Sequence, residues 1–172
     1  MKKFTLIAVL VLTSLFGFTQ TAAKFGYADT EYILSKIPEY KAAQSELDKM
    51  SIQWQKEIEA KYTEIDKLYK AYQADAVLLT DDMKKKRENE ILNKEKEAKD
   101  LQKQRFGVDG ELFKKRIELV KPIQDKVYNA IKSTAEKKGL GFILDKAGQV
   151  TMLYANSKYD ISDDVLNSLG YK

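Results

Sequence analysis

The sequence predicts a mainly α fold with a small β body (α+β), in which a long antiparallel helical hairpin projects from a small strand-rich oligomerisation domain. Three observations predict it. From Pro38 to about Lys138 the chain is almost unbroken charged helix. Val77-Leu78-Leu79-Thr80-Asp81-Asp82 interrupts that run, so it reads as one helix out, a turn near 77–81 and one helix back. Short apolar segments flank the run on both sides. The expected organisation is a signal peptide over 1–23, an arm over 38–121, and a discontinuous body formed by 24–37 and 122–172.

Met1-Lys2-Lys3 is a charged n-region, Phe4 to Phe18 is a short apolar stretch, and Thr21-Ala22-Ala23 offers an A-x-A-like cleavage site. Cleavage is expected before Lys24, with Ala22 as the alternative. The apolar stretch is shorter than the ~20 residues that span a bilayer. In the body, Lys24-Phe25-Gly26-Tyr27-Ala28 alternates as a strand, and Asp29 caps a brief helix through Tyr32, Ile33 and Leu34. Pro38 suits the first turn of the outgoing helix, because its missing N–H costs nothing there.

On that helix Tyr40, Ala43, Leu47, Met50, Trp54, Ile58, Tyr62, Ile65, Tyr69, Tyr72 and Ala76 follow steps of three and four. Met50, Trp54, Ile58 and Tyr62 make three successive steps of four, a stutter that should unwind a supercoil locally. At 1.5 Å per residue the ~38 residues make an arm of roughly 57 Å. Thr80 is a good N-cap for the return helix, with Asp81 and Asp82 placed where the helix dipole favours anions. That helix is lean at first, with Met83, Ile91, Leu92, Ala98 and Leu101 as core candidates before Phe106.

Gly107 and Gly110 flank Val108-Asp109, and each costs ~1 kcal/mol in a helix interior. Two readings stand: a helix break recapped by Asp109, or missing side chains that make room for Trp54. Leu112, Phe113, Ile117, Val120, Ile123, Val127 and Ile131 then restore an apolar stripe. Pro122 within it predicts a bend where arm joins body. Gly107, Gly110 and Pro122 are the candidate hinge residues. Gly139 ends the helix, Leu140–Leu144 and Val150–Tyr154 read as a β-hairpin, and Ser162 to Leu166 opens a short helix ending at Gly170.

Composition removes most enzyme chemistry. The chain has no His and no Cys, so the usual general base, the commonest metal ligand, a thiol nucleophile, a disulfide and a lipid-anchoring cysteine are all absent. No G-x-x-x-x-G-K-[ST] or G-x-G-x-x-G occurs, so no cofactor is expected. The net charge is +4; without Lys2 and Lys3, 28 basic residues face 26 acidic ones, which argues against nucleic acid. The excess is local: Lys84 to Arg105 holds nine basic and five acidic residues, and Glu39 to Asp75 holds six and eight.

A body of about three short strands and the helix feet buries little apolar area, so oligomerisation is expected. Phe25, Tyr27, Phe142, Leu144, Met152 and Tyr154 are the candidate core or subunit contacts. Ile52, Leu68, Val77, Leu78, Leu79 and Met83 lie off the expected seam or at the tip, where exposed apolar side chains mean contact; Leu78 and Leu79 could equally close the turn. Lys84-Lys85-Lys86-Arg87 is either a solvated face balanced by Glu88 and Glu90 or an attractor for anionic partners.

In the order of these elements the chain resembles the Skp/OmpH family of periplasmic holdase chaperones over essentially its whole mature length. Local carriers are Phe25-Gly26-Tyr27-Ala28-Asp29 with Tyr32-Ile33-Leu34, Ile37-Pro38-Glu39-Tyr40 and Lys121-Pro122-Ile123-Gln124. Gly139 with Phe142-Ile143-Leu144-Asp145 and Tyr159-Asp160-Ile161-Ser162 add to them. Phe106-Gly107-Val108-Asp109-Gly110 resembles forms found in Bacteroidetes-like bacteria. The resemblance implies a homotrimer whose arms enclose a cavity and carry unfolded outer-membrane β-barrel proteins without ATP; anionic lipid or lipopolysaccharide is a further partner expected from the basic run Lys84–Arg87. It implies no catalytic residues. The competing expectation is a coiled-coil scaffold protein of the envelope.

Overall fold

A computed structural model describes residues 23–148 and 152–171. The order is β1 (Phe25–Ala28), α1 (Thr30–Lys36), α2 (Pro38–Asp75), α3 (Asp81–Phe106), α4 (Glu111–Lys138), β2 (Phe142–Asp145), a 3-10 turn (Ser157–Tyr159) and α5 (Ser162–Leu169). The signal segment, residues 1–22, lies outside the described residues, as do Val150 and Thr151 of the expected hairpin.

The body forms around β1. Its partner is β2, paired in parallel with Phe25 opposite Phe142 and Tyr27 opposite Leu144. The expected antiparallel hairpin is therefore corrected: β2 joins the strand at the other end of the chain, and Met152 to Tyr154 form no strand. Asp145 supplies a physical reason. Its carboxylate accepts from Thr30 N at 3.2 Å, Thr30 Oγ1 at 2.7 Å and Ala147 N at 3.0 Å, tying the end of β2 to the start of α1. On the other side of β1 a single bridge joins Tyr27 to Asp160. The arm is thus one long crossover between two parallel strands.

Pleat alternation sends Ala28 and Ile143 toward the helices, where they pack with Ile33, Ile37, Val127, Ile161, Val165 and Leu166. Asp29 caps α1 by accepting from Tyr32 N at 2.9 Å, as expected, and its carboxyl is held below its ordinary range by that bond and then by Lys146. Ser162 stitches the cap to α5: its hydroxyl accepts from Asp29 N and donates to Asp160 Oδ1. Pro38 occupies the start of α2, and Gly139 and Gly170 end their helices at φ 63° and 85°. Tyr171 donates to Glu39 at 2.9 Å and Lys138 pairs with Asp164 at 2.6 Å, fixing α5 to both helix feet.

The hairpin is as expected in outline, with Thr80 accepting from Met83 N at 3.4 Å at the N-terminus of α3. Its seam differs in detail. Ala43, Leu47, Trp54, Ile58 and Ile65 are buried on α2, but Tyr62 and Tyr69 are exposed. Beyond Ile58 the buried line steps by three to the half-buried Lys61, then to Ile65, Leu68 and Tyr72. The alternation of three and four thus persists where the stutter predicted a further step of four, because Lys61 can lay its methylenes in the seam while its ammonium reaches water. Leu68, expected off the seam, therefore lies in it.

On α3 the seam positions Lys84, Ile91, Ala98 and Arg105 fall seven residues apart. Gly107 and Gly110 do break the return helix, as the first of the two readings has it, but without the recapping by Asp109 and without making room for Trp54. Gly110 is the N-cap residue of α4 and no side chain caps it, so Asp109 does not recap the helix. A Cβ on Gly107 would collide with the Lys103 carbonyl oxygen, and one on Gly110 would lie 2.8 Å from Gly107 N and 2.9 Å from Arg105 O. The glycines let the chain close on itself rather than make room for Trp54. Pro122 lies inside α4 without ending it.

Candidate functional site

At the tip, Leu78 N donates to Asp75 O at 2.8 Å and closes the turn through its backbone, which leaves the side chains of Val77 and Leu78 outside. They are 94% and 84% exposed, and Met83 beside them is half exposed. Leu79 is half-buried, so the two leucines divide the roles considered for them. The four cations that follow are also divided. Lys84 is half-buried in the seam, whereas Lys85, Lys86 and Arg87 are exposed. Among the described residues Arg87 has an ion-pair partner, Glu90 at 4.0 Å, and Glu88 instead accepts from the Tyr72 hydroxyl at 2.6 Å. That bond holds the Tyr72 phenol above its ordinary pKa. The expected balance of the basic run by Glu88 and Glu90 is therefore incomplete.

Ile52 is exposed on α2, and three apolar side chains of α4 are exposed that the sequence pattern assigned to the core or passed over: Phe113, Ile117 and Tyr128. At 3.6 residues per turn they fall within about 60° of one another around the helix. They flank the line of Val120, Ile123 and Val127 that packs inward. Counting in sevens from Val127 through Val120 reaches Phe113, so periodicity keeps Phe113 with the core and could not have found its exposure; Ile117 falls off that count, and Tyr128 is set apart by lying next to Val127.

The outer face of the sheet carries Phe25, Tyr27, Phe142 and Leu144, because alternation points them away from the helices. Phe25 and Phe142 stack at 5.8 Å between centroids, and both stay more than half exposed. Tyr27 is buried, and that burial, with Asp160 beside it, raises its phenol pKa. Met152, Tyr154 and Tyr159 turn back over this face and enclose with it an open concavity of about 560 Å³, lined mostly by apolar groups. All six body residues singled out in the sequence are thus brought to one side of the sheet.

Midway along the arm, Arg105 stacks on Trp54, with its guanidinium carbon 4.7 Å from the ring centroid, and pairs with Glu111 and with Glu57 at 3.4 Å. Phe106 meets the same indole edge-on at 6.2 Å. No group of three or more potential metal ligands occurs among the described residues. No described helix is long and apolar enough to cross a membrane.

The arrangement offers apolar and cationic surface along a long arm, and an apolar face on a small body. The chain aligns over 169 residues with a protein of unassigned function from Aquifex aeolicus strain VF5, at 31% identity, covering 98% of this chain and 96% of that one. Its fold matches the crystal structure of an OmpH-like outer-membrane chaperone candidate from Caulobacter crescentus CB15 with a TM-score of 0.67, at 17% identity, over 87% of this chain and 85% of that one. The family model for outer membrane protein (OmpH-like) matches residues 24–169. The chain belongs to the OmpH-like family.

Proposed function

We propose that this protein is an ATP-independent periplasmic holdase, which shields unfolded outer-membrane β-barrel proteins between the arms of a homotrimer. The observation that carries the reading is the arm: a helical hairpin closed well enough to persist, yet bearing Ile52, Val77, Leu78, Met83, Phe113 and Ile117 in solvent. An unfolded barrel strand exposes apolar side chains and unpaired backbone groups that aggregate in water. Many weak contacts suit a carrier that must release its cargo. Lys85, Lys86 and Arg87 add attraction for anionic clients, lipid headgroups or lipopolysaccharide near the tip.

Trimerisation is supported by the Phe25–Phe142 stack and the concavity beside it, an apolar face that one chain leaves open. Export is supported by the Met1–Ala23 pattern, after which the family match begins at position 24. The scaffold alternative calls for a dense, regular seam, and the break at 107–110 and the lean α3 favour an adaptable arm. Two measurements on the mature protein test the reading together: its solution mass, and its suppression of aggregation when a urea-unfolded outer-membrane barrel is diluted. A trimer that suppresses aggregation without ATP is expected; a monomer, or a trimer that leaves aggregation unchanged, would favour the scaffold.

A further inference from the structure

The two halves of the arm meet at a structure that holding as such does not require. On one side α2 runs unbroken through 38 residues. On the other the return path is cut at 107–110, where Gly107 and Gly110 take extended backbone, with ψ 170° and 174°. The cut lies between the inner apolar cluster of Ala43, Leu47 and Val120 and the outer one of Ile65, Ile91 and Ala98. Arg105 fastens it. This side chain of α3 pairs across the break with Glu111 of α4, pairs with Glu57 of α2, and stacks on Trp54 of α2. Gln104 adds a second bond to Glu111 at 2.8 Å. One guanidinium therefore joins all three helices, and its buried Nε finds no acceptor among the described residues.

We propose that residues 107–110 and the Arg105 clasp form a latched joint, at which α2 bends while the non-helical link takes up the change in length. Two helices packed 8–10 Å apart cannot bend together unless one path shortens or lengthens. A bend of about 20° in the plane of the pair changes the path by roughly 3 Å, which is the rise of about two helical residues. A continuous return helix would have to break hydrogen bonds to supply that length. The link supplies it by winding or unwinding a residue at either end, since extended backbone spans about 3.3 Å per residue against 1.5 Å in a helix. The Arg105 contacts cross the moving interface and hold the straight state. Bending would alter the space between arms in the proposed trimer, but the joint belongs to the single chain and needs no client.

The chain contains one Trp and no Cys, which supplies both readouts. Cysteines at the exposed Asp82 and Lys158 carry spin labels, and the doubly labelled mature protein is refolded with excess unlabelled chain, so that the distances read are those within one chain. A single narrow tip-to-body distribution is expected without substitution. R105Q should broaden it, and Trp54 should become several-fold more accessible to acrylamide. E57Q/E111Q keeps the side-chain volumes and the stacking, and is the variant to read if R105Q fails to fold; it should broaden the distribution in the same direction. An unchanged distribution in folded R105Q, or in E57Q/E111Q if R105Q does not fold, would overturn the latch, even with Trp54 exposed. Aggregation suppression is measured separately, so loss of the latch and loss of the holdase reading give different results.

Discussion

In the inner half of the arm α2 meets α4 through Ala43, Leu47 and Val120, with Tyr40, Leu112, Leu119 and Ile123 packed around them. In the outer half the same helix meets α3 through Ile65, Ile91 and Ala98, with Leu68 and Tyr72 alongside. Seam positions that carry leucine or valine near the body carry Lys61, Lys84, Lys94 and Glu95 further out, all half-buried. Lys94 pairs with Glu64 at 3.1 Å and Tyr72 donates to Glu88. A large buried aliphatic side chain contributes about 1.5–3 kcal/mol, whereas an exposed ion pair contributes little and is screened by salt. A single hairpin thus has a firm root and an outer half that opens at lower cost, with the Arg105 joint between them.

Four experiments would break or sharpen this contrast. The largest effect is expected from Leu47→Ala, which empties a buried position at the root. It should cost about 2–5 kcal/mol in chemical denaturation, and a loss below 1 kcal/mol would show that the root is not the firmer half. Ala98→Leu overpacks the fully buried contact of the outer half. Its cost of about 1–3 kcal/mol should appear as faster amide exchange in α3, with α4 unchanged. If α4 exchanges faster as well, the two halves open as one unit.

Asp29→Ala removes a cap of the body and should cost about 1 kcal/mol. The Asp29 carboxyl titrates below its ordinary range when folded, so its contribution is present above the unfolded pKa and lost as pH falls through the folded one. An acid titration followed by exchange should therefore loosen α1 in the parent protein, with a much smaller change in Asp29→Ala. The smallest effect is expected from Glu64→Gln or from high salt: a slight rise in exchange around Lys94 and none around Leu47. Equal changes at both places would remove the electrostatic distinction between the halves.

Much of this was legible in the residues. The caps at Asp29 and Thr80, the proline at position 38 and the glycines at 139 and 170 mark helix ends through local chemistry, and the structure ends its helices there. The tip was legible as a turn carrying apolar residues. Whether Leu78 and Leu79 close it or face solvent stayed open until the Leu78 N–Asp75 O bond closed the turn through backbone and left Val77 and Leu78 outside. Misreadings arose where a choice depended on a partner element. Tyr62 and Lys61 are adjacent, and an aromatic ring looks the better seam residue until α3 shows which of the two faces it. Ile117 looks like core until Val120 and Val127 set the inward face of α4, whereas Phe113 shares their heptad position and is exposed all the same.

By itself the sequence determined the hairpin, its length, its turn, the absence of His and Cys chemistry and the uneven charge, since each follows from local propensity or from composition. The tertiary structure alone decided that β1 and β2 pair in parallel, that Leu68 lies inside the seam, that the glycines serve a close backbone approach and that Arg105 joins three helices. Those outcomes depend on which distant segment arrives beside a residue, and periodicity along one segment carries no information about its neighbour.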